Sequence, residues 1–385
     1  MRGRYLIRSP RAALMLTAVD LLLRLVPASK PVNLAKPRHI LLSNWGHIGD
    51  VVTTFGAIRA LRRRIPGIRI GMLVGSWAAK AISDSKLVDN IHIVDHWAIN
   101  RSRASLRRKK SKYREMRSSA LSEIKSFGYD TAIDFYPFFP PAHVLFFRAH
   151  IPARIGFDSG GFGPLLNYPV RWVDEDRPVS DYHRDLLNVV FSDDPLRFGE
   201  LDPALAFDGK PAWPSVMPAD TPYIVLHPGA GAPFKDWGAK NWFMLADLFR
   251  SFRPSFRLVV TGAGDAEEGV ARDMQEHTPA VINLAGKLSL ADFTSVVAHA
   301  KLLICPDTAA SHIAGLFRTP TVCLFTGTNN RWQWSPPNPH IRVLTYPVPC
   351  APCNRPGCIY MSCLLNILPA HVFEAAQSLL DQNEG

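Results

Sequence analysis

The stretch 301–328, KLLICPDTAASHIAGLFRTPTVCLFTGT, constrains the fold more than any other part of the chain. It opens on a buried apolar run, passes through Asp307 and Thr308, continues at helical spacing, and closes on a second apolar run over 319–325. Short oxygen-bearing side chains favour the position where a helix begins, so strand, helix and strand form one βαβ unit. Its polar loop lies at the carboxyl end of the first strand, where open α/β sheets bind ligands. The free N–H groups and dipole of such a helix suit an anion, with Thr308, Ser311 and His312 in or beside its first turn. Taken alone, Asp307 and Thr308 read more readily as caps and His312 as a surface or packing residue.

The rest of the chain repeats the pattern. HILLS, IRIGMLVG, NIHIVD, DTAIDF and ARIGFD read as strands with helical stretches between them, and VVTTFGAIRALRRRIPG reads as one helix stopped by Pro66 and Gly67. A proline-rich interval over 192–221 separates this series from a second: YIVLHPG, AKNWFMLADLF, RLVVTGAG, a helix from about Glu267, AVINLAG, LADFTSVVAHA and the opening stretch. With 385 residues the chain exceeds one ordinary core. The expectation is α/β, with an extension over 1–38, one doubly wound domain over 39–191, a linker over 192–221, a second domain over 222–368 and a last helix over 369–385.

Charge narrows the partners. Against 33 Asp and Glu stand 44 Lys and Arg, and this excess of +11 favours an acidic partner. It is concentrated between Asn100 and Arg117, where Arg107, Arg108, Lys109 and Lys110 form the densest part and Glu115 is the only acid. A solvated helix face normally mixes signs, so the run reads as a docking site for phosphate-bearing partners. Nucleic acid is the rival, but Tyr113 is its only interleaved aromatic and no nucleic-acid motif stands near, so none is expected. The apolar stretch from Ala12 to Val26 is short for a bilayer span and carries Asp20 and Arg24. It is expected as a helix lying on a membrane surface, with packing on the body of the protein as the alternative.

Three groups carry chemistry. Gly46, Gly49 and Asp50 follow the first strand directly, where Asp50 is either a helix cap or a general base. HPGAGAPFKDW places Gly229, Ala230 and Gly231 in a loop after a strand, with the charge of Lys235 following; small residues there let backbone N–H groups approach phosphate oxygens. Cys350, Cys353, Cys358 and Cys363 are spaced C-x2-C-x4-C-x4-C, which admits a structural zinc, with free thiols the alternative.

ILLSNWGHIGDVVTTFGAIRALR, VLHPGAGAPFKDW, NLAGKLSLADF and CPDTAASHIAGLFRTPTVCLFTGT, in that order and followed by the cysteine tail, resemble glycosyltransferase family 9, the ADP-heptose:lipopolysaccharide heptosyltransferases. The resemblance covers nearly everything from His39 onward. It implies a GT-B fold, two Rossmann-like domains facing across a cleft, the first binding acceptor and the second an ADP-sugar. It implies an inverting transfer that needs no metal or other cofactor, with Asp50 as base. On the donor side Lys235 would hold phosphates, Asp307, Thr308, Ala309 and His312 would cradle diphosphate and sugar, Glu267 (or next Glu268) would hold the ribose, and Leu288 would pack the adenine. Gly229, Ala230 and Gly231 complete that side, while His47, Gly49 and the basic run fall to the acceptor. Ala309 replaces the family's usual glycine, and TGTNN over 326–330 its commoner GPTDP.

The expected partners are thus a nucleotide sugar, an anionic phosphorylated glycolipid and the inner face of the cytoplasmic membrane. A GT-B nucleotide-sugar epimerase and a non-catalytic docking protein with a relict nucleotide fold are the alternatives.

Overall fold

A computed structural model describes residues 4–7, 9–26, 34, 37–219, 221–229, 231–353 and 358–384. Among these the chain divides into two compact units, one running to Glu175 and including Val179–Ala206, the other comprising Asp176–Pro178 and everything from Phe207.

The first unit is built on six parallel strands: β1 His39–Ser43, β2 Arg69–Val74, β3 Asn90–Ile93, β4 Thr131–Asp134, β5 Ala153–Phe157 and β6 Tyr168–Val170. Their order across the sheet is 3-2-1-4-5-6. The second unit contains β7 Tyr223–Leu226, β8 Arg257–Val260, β9 Ile282–Asn283, β10 Leu302–Pro306, β11 Thr321–Leu324 and β12 Ile341–Leu344. Its order, 12-11-10-7-8-9, is the same topology counted from β7. The order in which strands are added therefore switches sides between the first and fourth strands of each sheet, leaving β1 beside β4 and β7 beside β10. The loops leaving those strands define the crevice where a doubly wound sheet takes its ligand. Strands β6 and β12, short and only half-buried, escaped the sequence pattern because an edge strand needs no continuous apolar run.

The single helix expected over 51–67 is two: Ile48–Val52 and Phe55–Arg64. Thr53 and Thr54 turn their hydroxyls onto the carbonyls of Asp50 and Val51, 2.7 Å in each case, and so divide the segment. Gly56 is fixed by a close approach: a Cβ there would stand 2.0 Å from the Leu201 carbonyl oxygen. Part of the proline-rich interval thus packs on the first unit, where Arg64 also pairs with Glu200 at 3.0 Å. In the second unit the closing helix Pro369–Glu384 completes the core, its Val372, Phe373, Ala376 and Leu379 joining Trp242 and Phe249 beneath β7, β8 and β10.

Candidate active site

In the first unit the chain leaves β1 in a tight loop. Asn44 clamps it from both ends, accepting from the Gly46 N–H at 2.9 Å and donating to the Asp50 carbonyl at 2.9 Å. Trp77 holds the Gly46 carbonyl through its indole N–H at 2.8 Å. A Cβ on Gly46 would fall 2.4 Å from the Asp50 Cβ, so glycine is required there because the loop presses directly on the aspartate.

Asp50 stands inside the first turn of Ile48–Val52, three residues after the N-cap His47, and its Oδ2 accepts the His47 backbone N–H at 2.7 Å. The capping role is therefore real, and it belongs to one carboxylate oxygen. Gly49 lies in the same turn, where its carbonyl accepts from the Thr53 N–H. Burial, aided by the nearby Arg101 guanidinium, pulls His47 down to about 4, so its imidazole is neutral at physiological pH. Tyr136 is pushed up by burial and then by the Asp50 charge, which places its phenol in the field of that carboxylate.

Beneath the loop, Ser43 at the end of β1 donates to Asp134 at the end of β4 at 2.7 Å. Burial pushes Asp134 up to about 6 against hydrogen bonds from Ala142, Ser43 and Tyr136 that pull the other way. This link ties the switch-point strands together directly under the Asp50 loop.

The basic run forms the first turns of the helix Leu106–Phe127. Four cations at the positive end of a helix, with no acid in the first turn, are an unfavourable placement that an anionic partner would relieve. The structure divides them. Lys109 donates to the Asn100 carbonyl at 2.8 Å and Lys110 sits 4.9 Å from the Trp97 ring centre, whereas Arg107 and Arg108 are exposed. Lys112 reaches the buried Asp95 at 2.7 Å.

In the second unit the loops after β7, β8 and β10 converge. Lys235, at the end of a short 3-10 turn, donates to the Asp307 carbonyl at 2.8 Å and to its Oδ2 at 2.6 Å. Two of its three N–H donors are thereby used, and one remains. Asn329 of the TGTNN segment donates to the same Oδ2 at 2.9 Å, a contact missed from sequence because its partner lies in another loop. Thr308 is the N-cap of Ala309–Leu316, but its hydroxyl is buried without a partner and makes no cap hydrogen bond. A buried unpaired donor of that kind is costly, and a ligand oxygen would satisfy it. Ala309 is the first helical residue. His312, one turn in, is pulled down to about 4 by burial, with Asp307 opposing and Lys235 adding.

Glu267 is lodged among glycines. A Cβ on Gly262 would approach its Cβ to 2.7 Å, one on Gly229 its Cγ to 3.2 Å, and one on Gly264 its Oε2 to 3.1 Å. The acid is thus seated where the loops after β7 and β8 meet. Glu268 packs instead against Gly286, two residues before the half-buried Leu288. Gly231 adopts φ +56, the left-handed region that favours glycine, and Ala230 lies outside the described residues. His227, also unremarked in the sequence, is half-buried at the start of this loop, paired with Thr261 at 3.0 Å and pulled down to about 4 by desolvation.

Among the described residues no group of three or more His, Cys, Asp or Glu side chains stands where it could hold a metal ion, and Cys350, Cys353, Cys358 and Cys363 are free. The structural-zinc reading thus finds no group to hold the ion among the described residues, and the free thiols remain. The segment is tied by its backbone to the loop after β11, the Cys353 N–H donating to the Gly327 carbonyl at 2.8 Å.

Two Rossmann-order sheets in one chain, each with its chemistry-bearing loops at the switch point, have the architecture of the GT-B glycosyltransferases. The same fold is found in a glycosyltransferase family 9 structure from Veillonella parvula (TM-score 0.72, 20% identity, 92% of this chain and 99% of that one). It is found again in Escherichia coli heptosyltransferase WaaC with ADP-2-deoxy-2-fluoro heptose (TM-score 0.67, 19% identity, 90% and 99%). In sequence, lipopolysaccharide heptosyltransferase 1 of Pseudomonas aeruginosa is 26% identical over 334 residues, spanning 83% of this chain and 87% of that protein. The family model described as glycosyltransferase family 9 (heptosyltransferase) matches residues 117–363. The chain belongs to glycosyltransferase family 9, and it is a glycosyltransferase.

Proposed function

We propose that the protein transfers a heptose from ADP-heptose to a hydroxyl of the lipopolysaccharide core, with inversion at the anomeric carbon. The observation that carries the reading is the donor-side cluster of Lys235, Asp307 and the unpartnered Thr308 hydroxyl at the start of Ala309–Leu316. The P. aeruginosa relative named for lipopolysaccharide and the E. coli structure with an ADP-heptose analogue support the substrate class.

On this reading the second unit binds the donor and the first binds the acceptor. Asp50 takes the proton from the acceptor hydroxyl as its oxygen bonds to the anomeric carbon. The bond from that carbon to the diphosphate oxygen breaks, and ADP leaves with the electron pair. Charge then develops on the diphosphate. The remaining N–H of Lys235, the Thr308 hydroxyl and the helix N–H groups stabilise it without a metal or other cofactor. Glu267 takes the ribose hydroxyls as an acceptor-only carboxylate, and Leu288 offers an apolar surface to the adenine. Arg107 and Arg108 take phosphates of an anionic glycolipid, which puts the enzyme at the cytoplasmic face of the inner membrane.

The test is incubation of the purified protein with ADP-heptose and with other nucleotide sugars, using a heptose-deficient core acceptor. Mass spectrometry should find one added heptose and released ADP. Transfer from another donor alone, or conversion of the nucleotide sugar without acceptor, would overturn the assignment.

A further inference from the structure

The N-terminal helix Pro10–Leu23 has its polarity reversed. Its only carboxylate, Asp20, faces inward and is buried, accepting from the Tyr5 hydroxyl at 2.8 Å and the Phe162 backbone N–H at 2.7 Å. Arg4 lies 3.8 Å from the same carboxylate and 3.2 Å from Asp158. One turn before it, Leu16 is buried against Gly161. Leu16 and Asp20, four apart, thus form the face that locks the helix to the first unit.

The opposite face is apolar and uncovered. Leu14, Met15, Leu21 and Leu22 are 72%, 57%, 55% and 66% exposed, and Leu25 in the closing turn is 81% exposed. Leu14, Ala18, Leu21 and Leu25 follow helical spacing, with Met15 and Leu22 beside them, so the exposed side chains form one continuous stripe. A water-facing helix places leucines inward and charges outward; here the arrangement is inverted. Contiguous exposed apolar surface on a soluble body marks a contact.

We propose that this stripe is a membrane-docking surface whose occupant is an anionic lipid bilayer. Charge selects the partner. The exposed charges on the segment are Arg11 and Arg24, one at each end, and no exposed acid interrupts it. That is the pattern of an interfacial helix with apolar side chains among acyl chains and cations among headgroups. The helix is too short to cross, and among the described residues no helix is long and apolar enough to do so. Because Asp20 fixes its inner face, docking on the body and docking on lipid are two sides of one element. This inference deepens the membrane placement proposed above and rests on it only for the identity of the surface.

The experiment uses the full chain with phosphatidylcholine vesicles, with and without phosphatidylglycerol. Wild type should co-sediment with the anionic vesicles, and hydrogen exchange over 10–26 should slow on adding them. The triple variant Leu14→Gln/Leu21→Gln/Leu25→Gln should bind at least tenfold more weakly with its melting temperature preserved. Equal binding by the variant, or no protection of 10–26 in wild type, overturns the proposal; the second readout stands even if the variant folds poorly. A wild-type dimer that the variant dissociates overturns it too, assigning the stripe to a second copy. Transfer to a short water-soluble acceptor is measured in parallel. Activity without vesicle binding faults the docking surface alone, and vesicle binding without activity faults the assigned reaction alone.

Discussion

The two units share one strand order and place their candidate site loops at the same topological point, yet the charge there is opposite. At the β1 exit stand a half-buried carboxylate, Asp50, a fully buried one, Asp134, and a neutral histidine. At the β7 and β10 exits stand a lysine, a helix N-terminus and an unpartnered hydroxyl. A doubly wound sheet therefore fixes where a ligand meets the protein and leaves open which charge it meets. On the proposed reading one copy accepts a proton and the other holds an anion.

The sharpest way to break that comparison is at Asp50. Asp50→Asn keeps an oxygen to accept the His47 N–H, so the loop and the melting temperature should hold. Turnover should fall at least roughly a hundredfold, about 2.7 kcal/mol of transition-state stabilisation, as expected for loss of a general base. Near-normal steady-state turnover would reduce Asp50 to a capping residue and leave the first unit without its proposed chemistry.

On the other side, Lys235→Ala should lower the rate at limiting donor by at least roughly tenfold, since a charge-assisted contact to phosphate is worth about 1.5–3 kcal/mol. It also leaves Asp307 without the cation it now pairs with, so repulsion of the diphosphate adds to the loss. Acceptor dependence should be unchanged. If the Michaelis constant for acceptor moves as much as that for donor, the division of labour between the units fails.

The basic helix sharpens the acceptor side. Because Lys109 and Lys110 are engaged within the unit, the double reversal Arg107→Glu/Arg108→Glu tests the exposed pair alone. Binding to phosphorylated core lipid should weaken several-fold and lose part of its salt dependence, with nucleotide affinity intact. Equal loss of nucleotide binding would make the segment structural.

The smallest effect separates the units by pH. Burial lowers His39, His47, His92, His96, His143 and His183 in the first unit, and His227 and His312 in the second. Unfolded, these imidazoles bind protons near 6.5; folded, His47, His96, His227 and His312 do so near 4, and His143 and His183 near 3. Below about pH 6.5 the unfolded state therefore holds more protons, and stability falls as pH falls toward 4. Asp134, raised to about 6, acts in the opposite sense and regains stability over the same range, offsetting about one histidine. The first unit should lose its structure at higher pH than the second. Acid titration followed by hydrogen exchange checks this, and simultaneous loss or the reverse order would contradict it.

Much of this was legible in the sequence because the signals are local. Strands β1, β2, β4, β5, β7, β8, β10 and β11 are apolar runs, and the helix after β10 begins where Thr308 sits at its cap. Gly46 and Gly231 betray tight loops because the close Asp50 side chain and a positive φ, respectively, exclude a Cβ. Period, caps and glycines depend on neighbours a few residues away, so the residues alone determine them.

Tertiary structure alone decided the rest. The Lys235–Asp307 pair and the Ser43–Asp134 link join loops far apart in sequence, and no local rule distinguishes those aspartates from surface ones. The spacing of four cysteines admits a metal site, but ligation requires the sulfurs to converge, and among the described residues no group of three or more ligands does. The N-terminal helix shows the limit most plainly. Apolar residues surround it on nearly every side, so periodicity could not choose its inner face. Tyr5 and the Phe162 N–H choose it by burying Asp20, since a carboxylate enters a core only where donors are already waiting.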